Sequence, residues 1–181
     1  FDDGAVLVDL STSMPAVTDR ISDRLGERDV DVLGAPVSGG PSGAAEASLS
    51  VLVGGERAVF EACRPLFETF GTDVMHVGEK PGYGHAVKLL NNYLSFAGFL
   101  AASEAMVLGR SVGLDGERLL EAINASSGRN TATAQKFPDY VLPKTYDMGF
   151  PLKLMEKDIR LFAAFGESQD MPLLLGDVVS N

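Results

Sequence analysis

The residue pair with the clearest chemical potential lies in "GYGHAVKLLNNYL" (82–94), an apolar stretch that carries one ammonium and two amides. Lys88 and Asn92 are four residues apart, so in a helix their side chains leave the same face one turn apart. A lysine near a helix N-terminus lies at the positive end of the macrodipole, which favours loss of its proton. Such a lysine is a usable general acid/base. The alternative is a lysine that extends to solvent beside exposed asparagines.

A second stretch, "GAPVSGGPSGA" (34–44), follows a predicted strand and offers a hydroxyl beside two unhindered amides. These groups belong to Ser38, Gly39 and Gly40. Consecutive exposed N–H groups form an anion-binding concavity that suits a carboxylate. The alternative is a flexible loop, because glycine, serine and proline are common loop residues.

Two further stretches place polar groups next to predicted elements. "STSMP" (11–15) follows a strand, and its Thr12 hydroxyl lies where open α/β sheets bind ligands. In the alternative, these residues only cap the next helix, with Ser13 as the N-cap. "MEKDIRL" (155–161) places Lys157 on the polar side of a helix, where a plain solvated face is the alternative explanation.

Hydrophobic periodicity predicts the elements that must position these groups. Strands are predicted at 5–10, 29–37, 49–55 and 73–78, and helices at about 15–28, 56–70, 84–110, 114–124 and 151–167. The first strand, "AVLVDL", is a continuous apolar run typical of strands buried on both faces. Residues 38–48 have the composition of a loop and are few for a helical crossover. This favours an antiparallel pair within a mixed sheet.

The second half of the chain contains no convincing strand. Prolines and glycines interrupt residues 126–150. The final helix is expected to bury residues at steps of three and four, namely Leu152, Met155, Ile159 and Phe162. The predicted fold class is therefore α/β followed by all-α, with two domains that divide near residue 84.

Charge and composition argue against several classes of partner. The net charge of −10 disfavours nucleic acid and anionic membranes. Cys63 is the only cysteine; it looks like a buried helix position, and its isolation fits a reducing compartment.

The most apolar run, 93–103, is shorter than the roughly 20 residues of a membrane span, and no secretory signal is visible. His76 and His85 lack metal-ligand spacing and are expected at a surface or interface. We therefore expect a soluble cytoplasmic protein without a metal site.

The four stretches, in this order, resemble the motifs of the β-hydroxyacid dehydrogenase family. "VDLSTSMP" is similar to the family's cofactor loop and "GAPVSGG" to its substrate-carboxylate motif. "GYGHAVKLLNN" resembles its catalytic G-x-G-x-x-x-K-x-x-x-N motif and "EKDIRL" its C-terminal K-D cofactor motif. Each motif alone is weak, but the four in register are specific and extend over nearly the whole chain. Residues 124–150 look closest to the 3-hydroxyisobutyrate dehydrogenase branch.

The resemblance implies an oxidoreductase that transfers a hydride between a nicotinamide cofactor and a short 3-hydroxy acid. Lys88 would be the catalytic acid/base, and Asn92 would hold it or the substrate hydroxyl. The carboxylate of this small substrate would be bound by Ser38, Gly39 and Gly40.

The resemblance also implies where NAD or NADP binds. Thr12 and Lys157 would contact the dinucleotide. Residues 1–83 would be the C-terminal part of a Rossmann-type domain, and residues 84–181 a helical substrate and dimerisation domain, truncated at its end. The sequence contains no G-x-G-x-x-G fingerprint, and Gly34 stands where the family often has an acidic residue. About three βαβ units, on the order of 90 residues, would be absent, so we expect a fragment of a longer enzyme.

Relatives of this family are alternatives. 6-Phosphogluconate dehydrogenase has a similar helix but carries histidine where this chain has Asn91, and glutamate where it has Ser95. Imine reductases usually lack the lysine that this chain keeps as Lys88. Non-catalytic binding modules on the same scaffold also tend to lose it.

The predicted helix 84–110 is apolar on nearly every side, with Phe96, Phe99, Leu100 and Met106 among its residues. A helix that is apolar all round is buried all round. Because one domain seldom covers so long a helix on every side, we expect a homodimer or homotetramer.

Overall fold

The computed structural model describes residues 4–180, which fall into two compact units. The first unit comprises the residues up to Asn91 together with Arg160–Leu173, and the second comprises Asn92–Ile159 with the residues from Leu174 on. The predicted fold class, α/β followed by all-α, is confirmed. Our domain boundary near residue 84 stays a proposal.

A five-stranded mixed sheet forms the centre of the first unit. Its strands are β1 (Val6–Asp9), β2 (Asp31–Gly34), β3 (Val37–Ser38), β4 (Leu49–Gly54) and β5 (Gly71–Gly78). β1 pairs with β2 in parallel and β4 with β5 in parallel, whereas β2 and β3 both run antiparallel to β4. The predicted antiparallel pair is thus confirmed. β1 is only half-buried, contrary to the burial on both faces that its apolar run predicted.

Two details of the helices in the first unit differ from the predictions. α1 (Pro15–Gly26) has Met14 as its N-cap, so the prediction of Ser13 is wrong. Pro15 forces the residue before it into extended backbone, and Met14 accordingly has φ −71° and ψ 132°. Residues 38–48 are not all loop, because they include the six-residue helix α2 (Gly40–Ala45).

The core of the first unit lies between the sheet and α3 (Arg57–Phe67). Its fully buried residues come from β2, β4, α3 and the link after β2, namely Leu33, Ala35, Val51, Val53, Phe60 and Phe67. Cys63 of α3 packs against this core but is only partly buried. Burial raises the pKa of its thiol.

The long helix α4 (Gly82–Ser111) leads into the second unit, whose described residues include helices and connecting segments but no strand. α5 is Gly116–Asn124, and Asp115 is its N-cap, because the Asp115 carboxylate accepts a hydrogen bond from the Arg118 amide at 3.1 Å. The remaining α-helices are α6 (Leu152–Glu167) and α7 (Leu174–Ser180). No helix within residues 4–180 is both long enough and apolar enough to cross a membrane.

A π-helix, Ala132–Val141, replaces the irregular chain that we predicted for this region. The Leu142 amide donates to the Phe137 carbonyl five residues back, at 2.9 Å. Pro138 lies inside this helix, and the wider turn accommodates a residue that has no N–H to donate. Phe137 joins the buried core of the second unit, with Ala102, Met106, Leu120 and Ala132.

The buried face of α6 differs from its prediction at one end. Ile159 and Phe162 are buried as expected, but Leu152 is 73% exposed because it is the first residue of the helix. Asp158 is also buried. It lies three residues after Met155 and four before Phe162, so helical periodicity places it on the same face.

Candidate active site

The first turn of α4 packs against the backbone of the first unit through glycines. The Gly82 amide donates to Asp19 Oδ1 at 2.7 Å, and a Cβ on Gly82 would lie 2.7 Å from the Pro15 carbonyl oxygen. A Cβ on Gly84 would overlap the carbonyl oxygens of Gly34 and Leu52. Both glycines of "GYG" are therefore required by close approach: Gly82 fixes the start of α4 against α1, and Gly84 fixes it against β2 and β4.

Gly34 is the counterpart of this contact in the sheet. A Cβ there would overlap the Pro81 carbonyl oxygen and would lie 2.9 Å from His85 Nε2. A side chain at this position would displace the start of α4. The family often carries an acidic residue at this position. In this chain, glycine is required there because a side chain would clash.

Lys88 lies in the second turn of α4 and is only 8% exposed. The alternative of a lysine extended into solvent does not fit this burial. Because α4 begins at Gly82, two residues earlier than predicted, the macrodipole contributes less than expected, since its effect falls off within the first turn. Asn91 is exposed and Asn92 is half-buried.

Asn92 is held by a buried carboxylate of α6. Its Nδ2 donates to Asp158 Oδ2 at 2.7 Å. The other carboxylate oxygen, Oδ1, lies 3.0 Å from the Lys157 ammonium. Asp158 was not among the predicted site residues, although the K-D dipeptide and its place on the buried face of α6 were available signals.

The carboxylate motif lies where β3 ends and α2 begins. Ser38 is half-buried and pairs with Ser50 of β4, while Gly39 and Gly40 are exposed. Gly39 has φ 133° and Gly40 has φ 66°, backbone conformations that favour glycine. A Cβ on Gly40 would meet nothing within 4 Å, so its conformation, rather than crowding, calls for glycine.

The loop after β1 is shaped by a carboxylate that also faces His85. Asp9 Oδ1 accepts the Ser11 amide at 2.9 Å, and Oδ2 lies 3.5 Å from His85 Nε2. His85 is fully buried, so its expected surface or interface position is wrong. Neither ring nitrogen makes a hydrogen bond of good geometry within the described residues. Burial lowers the pKa of His85, against the opposing pull of the Asp9 carboxylate.

The two predicted cofactor residues offer donors that suit a dinucleotide. Thr12 is half-buried in the loop at the carboxyl end of β1, a parallel strand, which is where open α/β sheets bind ligands. The Lys157 side chain is 47% exposed, so its ammonium is accessible to an anion. A hydroxyl and an ammonium match the phosphate and amide acceptors of NAD or NADP.

Two protein-family models match the chain. Residues 82–181 match the model described as the NAD-binding domain of NADP-dependent 3-hydroxyisobutyrate dehydrogenase. Residues 1–78 match the NAD-binding domain of 6-phosphogluconate dehydrogenase. Both models are NAD-binding domains, so NAD or NADP is the cofactor class.

Curated relatives include two bacterial dehydrogenases. 2-(Hydroxymethyl)glutarate dehydrogenase of Eubacterium barkeri is 37% identical over 170 residues, which are 94% of this chain and 56% of that protein. NAD-dependent L-serine dehydrogenase of Pseudomonas aeruginosa is 36% identical over 164 residues, 87% of this chain and 55% of that protein. The chain therefore spans little more than half the length of these relatives.

Among solved structures, the chain is similar to Mycobacterium tuberculosis 3-hydroxyisobutyrate dehydrogenase with L-serine. The TM-score is 0.93 at 27% sequence identity, with 99% of this chain and 63% of that chain covered. The likeness extends over both the sheet and the helical part.

Proposed function

Because the chain belongs to the β-hydroxyacid dehydrogenase family, we propose that the full-length protein transfers a hydride between NAD or NADP and a short 3-hydroxy acid. The observation that carries this proposal is Lys88, an ammonium that is 8% exposed on a helix whose first turn is packed against the sheet. A buried, positioned lysine is suited to proton transfer.

The names of the relatives suggest one substrate core. 3-Hydroxyisobutyrate, L-serine and 2-(hydroxymethyl)glutarate all contain HO–CH2–CH(X)–COO⁻ and differ only in X. X is a methyl group in the first, an ammonium in the second and a CH2CH2COO⁻ arm in the third. We propose that this core is what the enzyme recognises.

In the proposed mechanism, Lys88 in its amine form takes the hydroxyl proton while the C–H electron pair leaves the same carbon as hydride. The products are an aldehyde acid and the Lys88 ammonium. When bound, the nicotinamide supplies the hydride acceptor. Asn92 would orient the hydroxyl or the lysine, and its own orientation is fixed by Asp158.

The substrate carboxylate would be held by the amides at Gly39 and Gly40 and by the Ser38 hydroxyl. Thr12 and Lys157 would contact the dinucleotide. Positive φ at both glycines supports the carboxylate assignment, since successive N–H groups in such conformations form anion-binding concavities.

The test is an assay of NAD and NADP reduction by the full-length protein. Substrates are 3-hydroxyisobutyrate, L-serine, 2-(hydroxymethyl)glutarate and 6-phosphogluconate. We expect turnover of at least one of the three compounds with the common core. Turnover of 6-phosphogluconate alone would assign the protein to the other branch of the superfamily. No turnover of any would favour a non-catalytic binding module.

We also propose a homodimer or homotetramer in the cytoplasm. Leu94, Val107 and Leu108 of α4 are exposed apolar residues that a second copy would cover, whereas Met106 is buried within its own unit. Light scattering that gives the mass of a monomer for the full-length protein would contradict the assembly.

A further inference from the structure

A second lysine of the helical unit has a setting that the proposed mechanism does not use. Lys136 lies on the π-helix, and its Nζ donates to Ser95 Oγ of α4 at 2.9 Å. The ammonium also lies 5.6 Å from the centre of the Phe99 ring. Among the side chains that the structure describes (residues 4–180 except Asp177 and Ser180), no acidic group lies within ion-pair distance of this ammonium.

A half-buried cation without a counter-ion is unusual, because removing an ammonium from water is costly unless it is paired. Burial lowers the pKa of Lys136, as expected for an ammonium that lacks a carboxylate neighbour. A hydroxyl and an aromatic face compensate only part of this cost. The position is therefore suited to an anion that arrives with a ligand.

The packing fixes Lys136 in place. Phe137, the next residue, is buried in the core of the second unit, and its ring centre lies 5.6 Å from that of Phe99. The Phe99 ring thus contacts both consecutive residues of the π-helix. π-Helical turns are rare and often occur at functional sites.

The position of Ser95 connects Lys136 to the proposed site. Ser95 follows Asn92 by three residues on α4, which places their Cβ atoms about 5–6 Å apart on neighbouring parts of one face. All four residues, Asn92, Ser95, Phe99 and Lys136, belong to the second unit. A substrate whose hydroxyl lies at Asn92 would therefore have its substituent X within one helical turn of Lys136.

From this juxtaposition we propose that Lys136 determines substrate specificity by binding a second carboxylate, carried on X, so that the preferred substrates are hydroxymethyl dicarboxylic acids. A CH2CH2COO⁻ arm has a reach of the same order as one helical turn. This inference rests on the proposed function, because it assigns X within the same substrate core.

The test uses Lys136→Met in the full-length enzyme, which keeps an apolar stem of similar length and removes the charge. Loss of a hydrogen bond to a charged group raises a dissociation constant by about 10- to 100-fold. We expect kcat/KM for 2-(hydroxymethyl)glutarate to fall by that factor, chiefly through KM, and kcat/KM for 3-hydroxyisobutyrate to change less than about 3-fold. Lys136→Arg keeps the charge and should retain most of the dicarboxylate activity.

A second test uses the wild-type enzyme, so its result does not depend on whether a variant folds. Glutarate should inhibit competitively at about a tenth of the concentration of butyrate, or less, since only glutarate has the second carboxylate. Equal inhibition by the two acids, or equal losses of both activities in Lys136→Met, would overturn the inference while leaving the proposed function intact. A wild-type enzyme that oxidises no hydroxy acid would overturn both.

Discussion

The two units hold their candidate site residues by different means. In the first unit, the start of α4 is fixed by backbone contacts, in which Gly82 and Gly84 meet carbonyl oxygens of neighbouring elements. In the second unit, polar side chains are held by other polar side chains, Asn92 by Asp158 and Lys136 by Ser95. The backbone contacts of the first unit leave no space for an added side chain on these glycines. The polar side chains of the second unit need their hydrogen-bond partners. Mutations should therefore act differently in the two units.

The largest expected effect is on catalysis in the first unit. Lys88→Ala in the full-length enzyme should lower kcat by about 10²–10⁴, the usual size of a general acid–base contribution. Lys88→Arg should be nearly as damaging, because a guanidinium does not release its proton in the working pH range. Steady-state kinetics measure the effect, and circular dichroism confirms that both variants are folded. A Lys88→Ala enzyme that keeps more than about a tenth of wild-type kcat would contradict the proposed mechanism.

The glycine contacts predict a second, structural effect in the first unit. Gly84→Ala should destabilise the full-length protein by about 1–3 kcal/mol or more, because the added Cβ overlaps the Gly34 and Leu52 carbonyl oxygens and the backbone must shift. Urea unfolding measures the change.

The matched control is Gly98→Ala in the same helix. A Cβ there would have its nearest neighbour, Asn130 Cγ, at 3.7 Å, an ordinary contact. Removing a helical glycine without a clash should stabilise by about 0.5–1 kcal/mol. Equal effects of the two substitutions would show that helix propensity, and not close packing, governs Gly84.

Removal of a partner should be the sensitive change in the second unit. Asp158→Ala takes the buried acceptor from Asn92 Nδ2 and should cost about 1–3 kcal/mol of unfolding free energy. Lys157→Ala should cost less, about 1 kcal/mol, because the Lys157 side chain is 47% exposed and water can take the place of its ammonium, although Asp158 at 5% exposure loses its counter-ion. If Lys157 binds the dinucleotide, its variant should raise the cofactor KM more than it lowers kcat. Similar destabilisation by both variants would argue against a special role for the Asn92–Asp158 hydrogen bond.

The difference between local contacts and contacts of residues far apart in the chain explains which features could be predicted from the sequence. Periodicity identified the five main α-helices and four strand segments, and the G-x-G motif marked the start of α4, because these signals are local. The partners of Asn92 and Lys136 lie 66 and 41 residues away in the chain. No local pattern encodes such pairs. The π-helix was missed for a related reason, since Pro138 normally ends a helix and only tertiary packing of Phe137 favours its continuation.

The smallest expected effect is a pH dependence of stability that is due to His85. This residue is buried at the closely packed start of α4 in the first unit. Because burial lowers its pKa in the folded protein, the folded state binds fewer protons than the unfolded state below the unfolded pKa of about 6.5. The stability due to neutral His85 is thus fully present above that pH and is lost as pH falls below it. The slope cannot exceed about 1.4 kcal/mol per pH unit for one group.

The carboxylates of Asp9 and Asp19 oppose this effect by favouring the imidazolium, but burial has the larger influence on the pKa of His85. We expect the melting temperature of the full-length protein to fall from pH 7 to pH 5, and His85→Gln to reduce that dependence, since an amide of similar reach does not titrate. A wild-type protein that becomes more stable over this range, with the gain abolished by His85→Gln, would show that the carboxylates prevail. The start of α4 would then be held by a buried ion pair in addition to its glycine contacts.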